Sequence, residues 1–175
     1  MHLWAHFCTI TKHRHLVIAN CFRAGIPGRG LLHDLSKYSP TEFFVSARYY
    51  QGDRSPNAAA RDALGYSAAW IHHKGRNSHH YEYWTDLAPG TLTYVPVPMP
   101  PKALAEMLCD RVAASKVYKG KAYTDSSPLE YWQGEKGSIA IHPDTAAQLD
   151  RFLQLLAEQG ERAYFAAIRR FLAGK

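Results

Sequence analysis

The segment Gly30-Leu-Leu-His-Asp-Leu-Ser-Lys37 places an imidazole beside a carboxylate in an otherwise apolar run. Both groups are metal ligands, and burying them unpaired costs several kcal/mol, so His33 and Asp34 require a partner. A divalent ion shared with other histidines and aspartates provides one. Such an ion, once bound, activates a water molecule for hydrolysis. The flanking Leu31, Leu32 and Leu35 imply that the segment is a short helix entering the core and carrying the pair with it.

Further candidate ligands lie on separate segments. The first helix offers His13 or His15, the middle of the chain carries the doublets His72-His73 and His79-His80, and a later helix carries Asp110. A single histidine is ordinarily a surface or hydrogen-bonded core residue. Four within His72-His-Lys-Gly-Arg-Asn-Ser-His-His80 are hard to explain by solubility, and imidazoles mixed with carboxylates suit Zn, Mn, Fe, Co or Ni. Corresponding members of the two doublets are seven residues apart, which on a continuous helix is about 10 Å and too far for one ion. Gly75 and Asn77 are therefore expected to break the helix and let the doublets converge.

These residues need a frame of helices. Apolar Leu3, Phe7, Ile10, Leu16, Val17 and Phe22 predict a helix over residues 3–24, stopped by Gly25-Ile-Pro-Gly28. A short helix is expected around 29–37. Ser39-Pro-Thr-Glu42 reads as a capping box opening a helix through Tyr50, and two short helices, 58–64 and 66–74, are expected on either side of Gly65. The proline-rich stretch 87–101 is expected to be an extended surface arm. A long helix should run from Pro101 to about Val117 with Leu104, Leu108, Val112 and Ser115 on one face. Ser127-Pro-Leu-Glu130 reads as a second capping box with a helix through Trp132. Two amphipathic helices, 143–158 and 161–172, are split at Gly160. The fold class is all-α, a single helical bundle over residues 1–175.

Composition agrees with one globular unit: 175 residues, 46% hydrophobic and 13% aromatic, are enough for a substantial core. The net charge of +6 suits an anionic small molecule. Cys8, Cys21 and Cys109 are too scattered for a disulfide framework and read as free thiols in a reducing compartment, so a cytoplasmic location is expected. No segment has the run of about 18 apolar residues that a membrane span requires.

The order His13, His33-Asp34, His73, His79-His80, Asp110 in a helical setting resembles the HD superfamily of metal-dependent phosphohydrolases. His33-Asp-Leu-Ser-Lys37 is similar to its His-Asp-x-x-Lys element, His79-His-Tyr-Glu82 to the His-His-Glu element of its cyclic-dinucleotide branch, and the segment Asp110 to Lys119 to that branch's late aspartate helix. More narrowly, His33-Asp-Leu-Ser-Lys-Tyr-Ser-Pro-Thr-Glu-Phe43 and His72-His-x-x-x-Asn-x-His-His-x-Glu-Tyr-Trp84 resemble a small uncharacterised bacterial family with HD-like motifs. The resemblance covers residues 13 to about 120 and implies an HD-like bundle whose metal ligands are His13, His33, Asp34 and Asp110. His73 and His80 would complete a second position, for one or two ions. Within the doublets, His72 and His79 are assigned to outer or substrate-facing roles, His79 to proton transfer.

The implied activity is hydrolysis of a phosphate ester, of a nucleotide or another small phosphorylated molecule, by metal-bound water. Lys37 near the metal and Arg76 and Lys116 farther out are the expected phosphate-binding cations. Two other readings use the same residues: an HD-type di-iron oxygenase, and a basic helical nucleic-acid-binding domain with a structural metal. The second is disfavoured because the basic residues are interleaved with ligands and no helix-turn-helix spacing stands out. The C-terminal helices from Pro143 complete the core and offer a face for a homodimer.

Overall fold

A computed structural model describes all 175 residues. The chain is all-α apart from one two-stranded hairpin, and none of its helices is long and apolar enough to cross a membrane. Helix α1 (Leu3–Ala24) buries His6, Ile10, His13, Val17, Cys21 and Ala24, a stripe at helical spacing. His13 lies on this stripe and His15 on the opposite, exposed side. Gly25, with φ 83°, closes the helix as its left-handed cap.

Helix α2 (Pro27–Leu32) packs closely against α1. A Cβ added at Gly30 would lie 2.6 Å from the Cys21 Cβ, so only glycine permits this approach. The expected helix around 29–37 is corrected here: α2 ends at Leu32, and a 3-10 turn resumes over Leu35–Tyr38. His33 and Asp34 occupy the break. Asp34 has φ 55°, the only positive φ outside glycine, a conformation aspartate tolerates better than most residues. The burial expectation is also reversed, because Leu31, Leu32 and Leu35 are 51%, 71% and 49% exposed while His33 and Asp34 are buried. Arg14 secures the break by donating to the carbonyls of His33 and Leu31.

Helices α3 (Pro40–Tyr49), α4 (Pro56–Leu64) and α5 (Ala68–Lys74) follow. Ser39 stands at the start of α3, but neither residue of the expected capping box caps, since Ser39 makes no cap bond and Glu42 turns inward to His72 and His73. Ser67 does cap α5, accepting from the Trp70 N–H at 3.2 Å. The expected extended arm also pairs on itself: β1 (Thr85–Leu87) and β2 (Tyr94–Pro96) are antiparallel, with Thr85 opposite Pro96.

Helix α6 (Pro101–Lys119) is the axis of the fold. It buries Ala103 through Cys109 without interruption, so it is enclosed on all sides near its start instead of presenting one apolar face. Helix α7 (Ser127–Glu135) starts without the expected capping box; the Ser127 hydroxyl instead accepts from the Thr124 N–H. Helix α8 (Pro143–Leu172) is interrupted where expected, at Gly160, whose φ 74° and ψ 175° are not helical, so it consists of two helical arms joined at a kink. One buried cluster joins α1, α6, α7 and α8 through Val17, Cys21, Leu104, Leu108, Trp132, Phe152 and Phe165. It holds α1 against α6 and so sets His13 opposite Asp110.

Candidate metal centre

Five segments converge. Helix α1 supplies His13, the break after α2 supplies His33 and Asp34, and the C-terminal end of α5 supplies His73. The turn after α5 supplies His79 and His80, and α6 supplies Glu106 and Asp110, one turn apart. The turn after α5 resolves the spacing of the doublets. Gly75 ends the helix and the Asn77 side chain donates to the His73 carbonyl at 2.8 Å, folding the chain back until the His73 and His80 rings are 4.9 Å apart.

Asp34 is the hub. One oxygen lies 3.1 Å from His33 Nε2 and 3.7 Å from His13 Nε2, and the other lies 3.2 Å from His73 Nε2 and 3.4 Å from His79 Nε2. Asp110 approaches His13 Nε2 to 3.0 Å and His79 Nε2 to 3.8 Å. Two groups of potential ligands face inward, His13, His33 and Asp110 on one side and Asp34, His73, His79 and His80 on the other, and a third, His33, His79 and Glu106, links them from behind. Asp34 stands between them.

The orientation of the rings is set from behind. His33 Nδ1 donates to Glu106 at 2.8 Å, and His79 Nδ1 faces the same oxygen at 3.3 Å. His73 Nδ1 donates to Glu42 at 2.8 Å, and His72 donates to the other Glu42 oxygen at 2.7 Å. A carboxylate acceptor requires the proton on Nδ1, so in the neutral ring the Nε2 lone pair is directed at Asp34. Arg29 in turn holds Glu106 at 2.5 Å and bonds Ser78 at 2.8 Å.

The inner atoms have no hydrogen-bond partners. Nε2 of His13, His33, His73, His79 and His80 and Oδ1 of Asp34 are buried and unsatisfied, while Lys37 pairs with the other Asp34 oxygen. Buried polar atoms are seldom left so, and six converging ones point to a shared ligand. Charge points the same way: Asp34, Glu42, Glu106 and Asp110 face only Lys37 and Arg29 as fixed cations, leaving two negative charges if the imidazoles are neutral. Burial opposes protonation of His33, yet Asp34, Glu106 and Asp110 raise it to about 10. Asp34 and Glu42 likewise raise His73 against its burial. Burial and the neighbouring rings instead hold His79 and His80 below the usual histidine range. The cluster attracts positive charge, and its donor set of imidazoles and carboxylates fits a divalent transition metal.

All six expected ligands, His13, His33, Asp34, His73, His80 and Asp110, are brought together. His79, assigned to proton transfer, joins them as an equivalent inward-facing Nε2 instead of an outer group. His72 lies outside the cluster, behind Glu42. Lys37 sits at the edge, its Nζ 2.5 Å from Asp34. The expected roles of Arg76 and Lys116 are corrected. Arg76 is exposed and donates to the His72 carbonyl, and Lys116 turns to Glu161; neither lines the cavity described below. The sequence reading missed Glu42, taken for a capping residue, and Glu106. Glu106 had a signal: it is the one charged residue in the run Ala103–Cys109, and it precedes Asp110 by one helical turn.

The centre opens on one side into a cavity of about 810 Å³, reached by His13, His80, Asp110 and Lys37. Its other walls include Arg54, Asn57 and Arg61 from the α4 region, Trp70, Arg111, Lys119 and Tyr131. Comparison with known families finds a match over residues 2–155 to a family of unknown function, DUF5662. The chain belongs to this family. No curated protein and no solved structure matches it significantly. The DUF5662 match takes in every residue of the centre and its cavity, from Thr9 to Ile139.

Proposed function

We propose that the chain is a metal-dependent phosphohydrolase of HD type, acting on the phosphate ester of a nucleotide or a related small molecule. The observation that carries the reading is the set of buried, unsatisfied Nε2 and carboxylate atoms at the end of a large cavity with cationic walls. His13, His33, Asp34 and Asp110 would hold one ion, and Asp34, His73, His79 and His80 a second. When bound, a divalent ion supplies Lewis acidity to a phosphoryl oxygen and to an attacking water.

The chain's own residues do the remaining work. With a metal in place of the second proton, Glu106 and Glu42 would keep the neutral His33, His79 and His73 rings in the tautomer that offers Nε2. Asp34 holds the Lys37 ammonium at the cavity edge, where it can neutralise charge growing on a phosphoryl group. Arg111, held at 2.5 Å by Glu135, adds a fixed cation to the wall. Trp70 packs edge-on to the His80 ring at 4.6 Å and shields that side of the centre.

Elemental analysis of protein purified without a histidine tag, followed by phosphate-release assays under several metals, tests the reading. One or two transition-metal ions per chain and metal-dependent release of phosphate are expected. Protein that holds no metal and gains none from Mn, Fe, Ni or Co overturns the reading. Two irons with turnover-linked oxygen uptake would assign the centre to oxygenase chemistry.

A further inference from the structure

The cavity has more cationic character than a single phosphate ester needs, and one cation in it is held differently from the rest. Lys37, Arg54, Arg61, Arg111 and Lys119 all line it. Four have carboxylate partners: Asp34 for Lys37, Asp62 for Arg54, Glu135 for Arg111 and Glu130 for Lys119. Arg61 has no carboxylate within 4.0 Å and no side-chain hydrogen bond; its guanidinium lies 5.6 Å from the centre of the Trp70 ring. An aromatic face restrains a guanidinium without occupying its N–H donors, which stay available for a ligand.

We propose that Arg61 binds a second phosphoryl group of the substrate, so that the cavity favours molecules carrying two such groups. The proposal deepens the hydrolase reading and rests on it for the position of the first group. Distance supports it. Trp70 is 4.6 Å from the His80 ring and Arg61 is 5.6 Å from Trp70, so the guanidinium is no more than about 10 Å from His80. A small molecule with one phosphoryl group at the centre can reach Arg61 with another. The planar guanidinium matches two phosphoryl oxygens at once, which an ammonium cannot do. The volume of about 810 Å³ leaves room for the rest of a nucleotide-sized ligand.

Calorimetric titration of the purified protein with adenosine 5′-monophosphate and with adenosine 3′,5′-bisphosphate tests the assignment, alongside Arg61→Ala and Arg61→Lys. The bisphosphate should bind about 10- to 100-fold tighter than the monophosphate, the worth of a charge-assisted hydrogen-bonded pair. R61A should erase this preference and R61K restore only part of it. Wild-type protein that does not distinguish the two ligands, or R61A that still does, overturns the proposal. Hydrolysis of p-nitrophenyl phosphate under several metals is followed in parallel. If it never occurs while the Arg61-dependent preference holds, the hydrolase reading falls and the anion subsite stands.

Discussion

Glu106→Gln tests the centre most directly, because one carboxylate serves both groups of ligands. Glu106 accepts from His33 Nδ1 at 2.8 Å, faces His79 Nδ1 at 3.3 Å and is held by Arg29 at 2.5 Å. Glutamine keeps the shape and one acceptor but removes the charge that favours the Nδ1–H tautomer, and it leaves the Arg29 guanidinium without its carboxylate. Loss of such an outer carboxylate typically weakens metal binding by about 10- to 100-fold, or about 1.4 to 2.7 kcal/mol. His33 and His79 belong to different ones of the two inward-facing groups, so both ion positions should weaken in E106Q. Glu42→Gln touches only His73 among the ligands and should weaken one. Competition against a chromophoric chelator, read with metal content per chain, separates the two variants. Metal affinity in E106Q within twofold of wild type would refute the claim that Glu106 orients these rings, as would an E42Q variant weakened at both positions.

Asp34→Asn tolerates the same backbone but loses the charge at the hub, and should lose bound metal together with any phosphatase activity; metal content near wild type would count against Asp34 as the shared ligand. Gly30→Ala drives a Cβ to 2.6 Å from Cys21 Cβ and should destabilise the fold by about 1–3 kcal/mol, visible as a lower melting temperature. The pH dependence of the metal-free protein has a definite sign. His33 is raised from 6.5 to about 10 in the folded chain, so its contribution is full below pH 6.5 and disappears as pH rises through 10. Chelator-treated protein should therefore lose stability across that window, while metal-loaded protein, whose ion replaces the proton, should change less. Equal slopes in thermal melts would contradict this. Saturating metal should raise the melting temperature with the logarithm of its concentration over its Kd, since the unfolded chain has no assembled site.

Much of the centre was legible because its ligands are rare residue types in apolar settings. His33-Asp34 announced itself as a polar pair among leucines, and Gly75 and Asn77 marked the turn that brings the doublets together. Helix periods located most of the frame, including the break at Gly160, where the backbone leaves the helical region between two arms. The prolines of the arm mark it as extended, but its pairing into a hairpin depends on contacts between residues seven to eleven apart. Glu42 was obscured because a capping box and an inward-turned carboxylate share one sequence pattern, and only the approach of α5 to α3 decides between them.

The sequence by itself determined the chemistry on offer: a metal-capable set of histidines and aspartates, free thiols, an all-α frame and an excess of positive charge. Residue type and local period are properties of the chain and need no partner. The tertiary structure alone decided direction. It broke the helix at Asp34, aimed five Nε2 atoms inward with Glu42 and Glu106 behind three of the rings, turned Arg76 and Lys116 away, and left Arg61 facing the cavity without a carboxylate. These outcomes depend on which distant surfaces are pressed together. Gly30 against Cys21, and α1 against α6, impose that geometry through close packing that no local stretch of sequence encodes.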